Sequence, residues 1–463
     1  MKIFFKYNFY FVLALIVLGA CKSDDSGDPA PTPADDDPIE VELAINAIDP
    51  TSGPYDATLS IKGSKFSKEV SGNTVFINDV EASVISASDT LLEVTVPKGA
   101  GSGKVKVKVG DEEVTGPDFE YVLTPVMSIF AGDGTPGNNN GEGEDAQFNG
   151  PQQLALDSDG NLFVADTKNH VIRKITPDGT VTDFAGKSGD SGHVDNFALA
   201  AKFKSPSGLA FDAAGDLFVA DRNNHVIRKI NIGGATAVTT VSGDAGNSGY
   251  AVEGEGVLVL YHQPNRLLFD NDGNLLVSEI GGDRIRKIDI NQPVDNEIFV
   301  AGSKDSEAGF GNGKSVNALF KDPYEMLRVG DQLLIADKEN QCIRDIDMAD
   351  ENFKVGTFAG SPQEVDYADG TGTAAKFWDP TSIAYDPISE HIFIGDWGNR
   401  RIRRTTIDGE VTTIVGNGTK GVQAGVGDDI QFNALTSMVY DEQTEVLYIS
   451  DSNEHYILKV IFE

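Results

Sequence analysis

The sequence predicts an all-β protein in which a small β-sandwich precedes a six-bladed β-propeller closed by its own first strand. Short apolar runs that alternate with polar residues recur along most of the chain, which is typical of half-buried strands. Gly accounts for 50 of the 463 residues, which indicates many tight turns. From residue 126 onward one pattern recurs six times, and a recurrence of this length indicates a repeat architecture.

Each repeat contains four predicted strands, and four strands in a unit of this length form one propeller blade. The units begin at Pro151, Pro206, Pro264, Pro323, Pro380 and Leu435. The last unit ends at Glu463 after three strands, whereas Val126–Gly132 has the pattern of a fourth strand. We therefore expect Val126–Gly132 to complete blade 6, because closure removes an exposed sheet edge.

Residues 42–122 predict the sandwich, with about seven short strands in about 80 residues. The order of four motifs in this segment resembles the IPT/TIG family of immunoglobulin-like domains. They are Ile48–Pro54, Ile61–Ser67, Val94–Pro97 and Phe119–Tyr121. The resemblance implies a spacer that lifts the following domain away from a membrane.

The repeats in residues 123–463 resemble the NHL family, most clearly in Leu162–Ile175. Blade 3 departs from the pattern with Glu279 and Gly282, and blade 6 has Leu458 where the other blades have Arg. The resemblance implies a six-bladed propeller whose loops between units, and between the second and third strands, share one face.

The N-terminus combines an export signal with an anchor. Lys2 and Lys6 precede an apolar run, and the sequence Leu18-Gly19-Ala20-Cys21 resembles a bacterial lipobox. The resemblance implies that residues 1–20 are removed and that Cys21 is lipidated. Residues 21–41 form an acidic, Pro-rich linker. The acidic residues after Cys21 resemble the signal that sends Bacteroidetes lipoproteins to the outer membrane, facing the exterior.

Charge and motifs narrow the function. The formal net charge of −35 argues against nucleic-acid binding, which depends on cationic contacts to phosphate. The sequence contains no Gly-x-Ser-x-Gly elbow, His-Glu-x-x-His motif or P-loop, so no catalytic residue and no cofactor are predicted. Calcium is the one ion considered, because the segment from Asp133 to Asp145 is rich in oxygen ligands. Its spacing is not that of an EF-hand.

Positions that hold the same kind of residue in nearly every blade are predicted to have a structural role. The acidic position that ends each second strand is Asp166, Asp221, Glu279, Asp337, Asp396 and Asp451. The arginines expected to pair with it are Arg173, Arg228, Arg286, Arg344 and Arg403. The aromatic position expected between blades is Phe148, Phe203, Tyr261, Phe320, Phe377 and Phe432. Cys342 is predicted to be packed within a strand. We expect His170, His225 and His455 to lie too far apart to bind one metal ion, and we interpret them as loop residues.

Positions that differ between blades are the candidates for ligand binding. Gln153, Arg266 and Glu325 place large polar groups at the mouth of the channel, beside Tyr324. We expect a ligand role for some of them; the alternative is a hydrogen-bonded plug. Trp378 and Trp397 predict a binding patch on one face of blade 5, because indole rings stack on sugars. Arg400 and Arg401 follow closely and could add hydrogen bonds. The alternative is packing under long loops.

These features favour a non-catalytic surface protein that captures an extracellular oligo- or polysaccharide. Lipoproteins with this domain order resemble the glycan-capturing partners of polysaccharide-uptake systems in Bacteroidetes, which implies an outer-membrane transporter as a partner. Two alternatives remain open: a metal-assisted lyase or hydrolase in the channel, and a protein–protein scaffold or adhesin.

Overall fold

A computed structural model describes residues 41–234, 236–249, 259–290 and 297–463. The export signal, Cys21 and most of the linker lie outside the described residues, so the lipidation of Cys21 stays a prediction. In the described ranges we find no helix of the length and apolar character needed to traverse a bilayer.

The N-terminal domain consists of eight strands and one short 3-10 helix, Val70–Gly72. The strands are Ala44–Asp49, Ser52–Gly53, Thr58–Ser64, Thr74–Ile77, Val80–Ala87, Leu91–Thr95, Gly103–Val109 and Glu112–Tyr121. Their hydrogen-bonded order is first, third, sixth, fifth, fourth, seventh, eighth and second. The strands close over one core that includes the fully buried Leu59, Val94 and Phe119. The predicted β-sandwich is confirmed.

Six separate sheets form the propeller, which confirms the predicted number of blades. Blade 1 contains Pro151–Leu156, Leu162–Asp166, Val171–Ile175 and Thr180–Ala185. Blade 2 contains Pro206–Phe211, Leu217–Asp221, Val226–Ile230 and Ala237–Gly243. Blade 3 contains Pro264–Phe269, Leu275–Glu279, Arg284–Ile288 and Glu297–Gly302. Blade 4 contains Pro323–Val329, Gln332–Asp337, Cys342–Asp347 and Lys354–Ala359. Blade 5 contains Pro380–Asp386, His391–Asp396, Arg401–Thr405 and Glu410–Val415.

Blade 6 contains three C-terminal strands and one strand from the beginning of the propeller. Ser437–Asp441, Val446–Asp451 and Tyr456–Phe462 are followed in the sheet by Pro125–Ala131. Ile129 pairs with Leu458, and Val126 pairs with Ile461, in antiparallel register. The predicted closure is confirmed. The innermost strand begins at Ser437 rather than at Leu435, because the residues before it turn towards Asp451, as described below.

Five sheets also carry a two-residue strand at the outer edge, which the sequence did not predict. These strands are Gly141–Glu142, Asn196–Phe197, Gly313–Lys314, Gly370–Thr371 and Gly425–Val426. A 3-10 helix follows each: Gly143–Asp145, Ala198–Ala200, Ser315–Asn317, Gly372–Ala374 and Gly427–Asp429. Three more 3-10 helices follow second strands: Thr167–Asn169, Arg222–Asn224 and Lys338–Asn340. A two-residue strand is too short to show an alternating pattern.

The predicted scaffold positions are buried and paired. Arg173 and Asp166 form an ion pair of 3.1 Å in which neither side chain is exposed. Equivalent pairs are Arg228–Asp221, Arg344–Asp337, Arg403–Asp396 and Arg286–Glu279. All six aromatic residues between blades are fully buried, as is Cys342. Because breaking a buried pair leaves an uncompensated charge, these residues are structural.

The small domain contacts the end of the third strand of blade 6, beside the turns between the first and second strands of blades 5 and 6. The Thr124 N–H donates to the Glu463 carbonyl at 2.7 Å, and Lys98 lies 3.5 Å from the Glu463 carboxylate. A cavity of about 480 Å³ separates Tyr121 from Tyr440 and Phe462. Since second strands run from this end to the loops before the third strands, the small domain occupies the propeller face opposite those loops.

Candidate functional site

A hydrogen bond to a side chain links most blades to the next one. These bonds lie on the propeller face that carries the loops between the second and third strands, called the loop face below. The accepting side chain lies in the turn after the second strand, at a residue with positive φ, such as His170 at 64° and Gln341 at 62°. This side chain accepts the amide N–H of the residue immediately before the next blade. The bonds are Ser205 to His170 (3.0 Å), Gln263 to His225 (3.3 Å), Asp322 to Asp283 (2.8 Å), Asp379 to Gln341 (2.6 Å) and Gly150 to His455 (3.1 Å).

The three histidines are therefore loop residues, as predicted, and each joins two blades. Burial lowers the pKa of His170, His225 and His455, so the rings are neutral at pH 7. A neutral ring with its proton on Nε2 can accept at Nδ1.

The junction between blades 5 and 6 departs from this rule. Arg400 occupies the acceptor position with a φ of 55°, and a guanidinium cannot accept a hydrogen bond. The amide of Ala434 donates instead to Asp451 Oδ2 at 2.8 Å, beside the amide of Asn433 at 3.0 Å. Asp451 is available because Leu458 replaces the arginine that pairs with this carboxylate in the other blades. Two sequence departures thus meet at one junction.

A cleft of about 220 Å³ opens at this junction. It is lined by Trp378, Asp379, Trp397, Gly398, Arg400, Lys420, Asn433 and Asn453. Trp378 is 42% exposed and Trp397 is half-buried. The structure therefore brings together three of the predicted site residues, Trp378, Trp397 and Arg400. Sequence reasoning missed Lys420, Asn433 and Asn453, which come from two loops of blade 6 without a repeat signature.

Arg401 lies outside the cleft. Its guanidinium lies 4.2 Å from the centre of the Tyr367 ring and donates to the carbonyls of Asn399 and Asn417, both at 3.0 Å. The structure thus separates Arg401 from the group with which it was predicted.

The predicted channel residues meet in a buried hydrogen-bonded cluster. Gln153 Nε2 donates to Glu325 Oε1 at 2.9 Å, and its Oε1 accepts the Leu209 amide at 2.9 Å. Glu325 Oε2 lies 3.3 Å from Arg266 Nε and accepts from Ser437 at 3.2 Å. Burial raises the pKa of Glu325 to about 7, although Arg266 acts to lower it. Gln153, Arg266 and Glu325 thus plug the channel, and a ligand role for them stays a prediction.

Tyr324 covers this plug on the side of the mouth. Its hydroxyl donates to Gln152 Oε1 at 2.9 Å, and its ring centre lies 4.2 Å from Arg266 Cζ. The ammonium group of Lys338 lies 5.8 Å from the Tyr324 ring centre and 5.4 Å from the Trp397 ring centre. Lys338 therefore lies between Tyr324 at the channel mouth and Trp397 in the cleft.

Lys338 belongs to a variable position that sequence reasoning used only at Trp397. The residue directly after the acidic position is Thr167, Arg222, Ile280, Lys338, Trp397 or Ser452. This position is filled differently in all six blades, and in blade 4 it places the ammonium group of Lys338 between Tyr324 and Trp397. Burial lowers the pKa of Lys338, but Asp322 at 2.9 Å outweighs burial and raises the pKa, so the ammonium stays charged.

No metal site is evident among the described residues, where no three His, Cys, Asp or Glu side chains cluster for metal binding. Asp133, in the segment considered for calcium, accepts from Thr135 and from Gln147. The expectation of no bound cofactor, with calcium as the one ion considered, stays a prediction.

One serine–histidine–aspartate group lies elsewhere, in the cavity between the two domains. The Ser389 hydroxyl donates to Asp386, and His391 Nδ1 lies 2.7 Å from the same hydroxyl. The serine proton therefore points at the carboxylate. In a nucleophilic triad the histidine lies between the other two residues and takes the serine proton. This order of contacts is a turn motif rather than a nucleophile.

Comparison with known proteins identifies two kinds of domain. The IPT/TIG domain family matches residues 43–121, and the NHL repeat family matches residues 148–175 and 203–230. The chain thus contains a TIG domain followed by NHL repeats.

A protein relative matches part of this chain, whereas solved structures match nearly all of it. NHL repeat-containing protein 2 from Homo sapiens is 26% identical over 336 residues, which cover 64% of this chain and 44% of the human protein. The chain thus spans less than half the length of this relative. The crystal structure of an auxiliary nutrient binding protein from Bacteroides ovatus matches with a TM-score of 0.58 and 19% identity, over 92% of this chain and 99% of that one. The crystal structure of a second auxiliary nutrient binding protein, from Bacteroides thetaiotaomicron, matches with a TM-score of 0.55 and 19% identity. This match covers 91% of this chain and 98% of that one.

Proposed function

We propose that the protein is a non-catalytic cell-surface binding protein that captures an extracellular oligo- or polysaccharide in the cleft between blades 5 and 6. The observation that carries the proposal is the pairing of Trp378 and Trp397 in one open cleft. Aromatic faces favour the apolar faces of sugar rings, and the polar side chains around them supply hydrogen bonds. The two auxiliary nutrient binding proteins with a similar fold support a binding role.

The position of the cleft supports display towards the exterior. The TIG domain contacts the opposite propeller face, so a tether that begins at Cys21 would leave the cleft turned away from the membrane. We propose a lipid anchor at Cys21, an outer-membrane location and delivery of the glycan to an outer-membrane transporter.

The two tryptophans of the chain both line the cleft, so tryptophan fluorescence reports on this site directly. The mature protein would be titrated with a panel of plant, algal and host polysaccharides while tryptophan emission is recorded. We expect a saturable change, and its loss in Trp378→Ala and Trp397→Ala measured by calorimetry. Phe197→Ala is the matched control, because Phe197 is an aromatic residue that is 59% exposed at the outer edge of blade 2.

Binding that survives the removal of both tryptophans would refute the cleft as the site. Turnover of a bound polysaccharide, seen as new reducing ends, would favour the lyase or hydrolase alternative. Capture of a protein with no response to any glycan would favour the scaffold alternative.

A further inference from the structure

The loop face carries a concentration of positive charge on a strongly acidic protein. Arg400 and Lys420 line the cleft, against one acidic residue, Asp379. Lys338 lies between the cleft and the channel mouth. The whole chain has a formal net charge of −35. A local excess of cations on such a chain calls for a specific explanation, because random placement would make the site acidic.

Two of these cations, Lys420 and Arg400, lack a strong partner, whereas Lys338 already forms an ion pair of 2.9 Å with Asp322. Lys420 is exposed and makes no ion pair within the ranges that the structure covers. Arg400 donates to the Gly398 carbonyl at 3.3 Å and makes no ion pair within the described ranges. Scaffold arginines such as Arg403 instead meet a carboxylate at 2.8 Å. The cleft cations are therefore free to meet an anionic ligand.

Arg222 extends this feature across the channel mouth. It occupies the same position in blade 2 as Lys338 in blade 4, and its half-buried side chain makes no ion pair in the described structure. Burial lowers the pKa of its guanidinium, and Tyr324 and Asp322 counter this effect. A partly desolvated guanidinium without a hydrogen-bonded carboxylate is a typical anion-binding group.

Aromatic rings alternate with these cations along one path. Trp378 and Trp397 share the cleft, Lys338 follows within 5.4 Å of the Trp397 ring centre, and Tyr324 follows within 5.8 Å of Lys338. A polymer of acidic sugars presents ring faces and anionic groups in the same alternation.

We propose, on the basis of the function proposed above, that the ligand is an acidic saccharide that runs from the cleft to the channel mouth. Its ring faces lie on the tryptophans, and its anionic groups pair with Lys420 and Arg400. Lys338, which is paired with Asp322, lies along the same path between Trp397 and Tyr324. Arg222 binds the portion that reaches the far side of the mouth. The overall negative charge of the protein suppresses adventitious binding of polyanions elsewhere on the surface.

The test compares polymers that differ only in charge. Polygalacturonate and its fully methyl-esterified form share one backbone, and dextran sulfate and dextran share another. We expect one acidic member to bind at least about tenfold more tightly than its neutral counterpart, since a charge-assisted hydrogen bond contributes about 1.5–3 kcal/mol. The pair that shows the difference identifies carboxylate or sulfate as the group recognised. Binding should also weaken as sodium chloride is raised.

A matched pair of variants locates the effect. Lys420→Gln combined with Arg222→Gln should lower the affinity for the acidic polymer about tenfold and leave that for the neutral one unchanged. Lys68→Gln combined with Lys187→Gln removes the same charge from side chains that are 75% and 68% exposed and lie away from the cleft, and should have no effect. Circular dichroism would verify the fold of both proteins.

Failure of the proposed charge preference can be distinguished from failure of the proposed glycan capture. Equal binding of acidic and neutral polymers, abolished by Trp378→Ala, would overturn the charge preference and leave glycan capture intact. Acidic polymers that bind equally to the cleft variant and to its control would also overturn it. No response to any of the four polymers, or to the wider panel, would overturn both proposals.

Discussion

Arg266 and Glu325 meet in the centre of the propeller, where Arg266 Nε lies 3.3 Å from Glu325 Oε2. The two residues come from blades 3 and 4, and their side chains are 0% and 5% exposed. This contact, with Gln153 from blade 1 and Ser437 from blade 6, links inner strands across the channel. The plug therefore acts as a hub for the ring rather than as an open pore.

Removing one member of this pair should destabilise the propeller more than removing both. Arg266→Met or Glu325→Met leaves a buried polar or charged partner and should lower the free energy of unfolding by about 3–5 kcal/mol. The double variant should lose less than either single variant. Urea denaturation of the four proteins forms a double-mutant cycle. Additive losses would mean that the two groups do not interact in solution.

The buried pair in blade 5 offers a sharper local contrast. Arg403→Leu reproduces the residue that blade 6 has naturally, but Asp396 keeps its buried position and loses its counter-charge. We expect a loss of about 3–5 kcal/mol. Arg401→Leu, two residues earlier, affects a half-buried side chain on Tyr367 and should cost less than about 1 kcal/mol. Equal losses in urea denaturation would contradict a structural role specific to Arg403.

Acid should weaken the histidine links between blades. Burial lowers the pKa of His170, His225 and His455 below the ordinary value of about 6.5. Their contribution is therefore complete above that value and is lost as the pH falls through the folded-state pKa, because a protonated ring cannot accept at Nδ1.

The matched variant replaces all three histidines with Gln, which blade 4 uses naturally as Gln341. Other titrating groups are common to both proteins, so the difference in unfolding free energy isolates the histidines. We expect the parent to lose stability relative to the variant between pH 7 and pH 5, by roughly 1 kcal/mol or less per link. A difference that does not change with pH would contradict the assigned hydrogen bonds.

Closure of the ring depends on the backbone of the first strand. Ile129 pairs with Leu458 in the register of blade 6. Ile129→Pro places a residue without an N–H in the middle of this strand and should cost at least about 3 kcal/mol, with aggregation through the freed edge. Ile129→Ala keeps the N–H and should cost less. Size-exclusion chromatography and thermal unfolding would separate the two, and identical behaviour would argue against a contribution from the ladder.

The sequence predicted the ring because repetition is visible in one chain. The acidic, arginine and aromatic positions recur nearly unchanged, since every blade needs the same buried contacts. The links between blades escaped prediction because the acceptor position holds His, Asp, Gln and Arg, which share no obvious residue type. His, Asp and Gln share an acceptor atom in the side chain, and Arg400 lacks one.

The same reasoning explains why the cleft was only half predicted. Trp378 and Trp397 stand out as the two tryptophans of the chain. Lys420 and Asn453 do not stand out, because they come from blade 6 loops whose approach to blade 5 depends on the hydrogen bonds of Asp451. Leu458 was visible as a departure, but its effect on the neighbouring loop required the structure.

Arg400 can be tested as the residue that holds the cleft open. Arg400→Gln restores an acceptor like that of Gln341, so the Ala434 amide can return to blade 5 and narrow the space around Trp378. We expect weaker quenching of tryptophan fluorescence by acrylamide, and a gain in unfolding free energy of about 1 kcal/mol from the restored link. Arg400→Leu removes the same charge without supplying an acceptor and should produce neither change. If the two variants behave alike, the missing acceptor is not what opens the cleft, and the exposure of Trp378 must depend on the blade 6 loops alone.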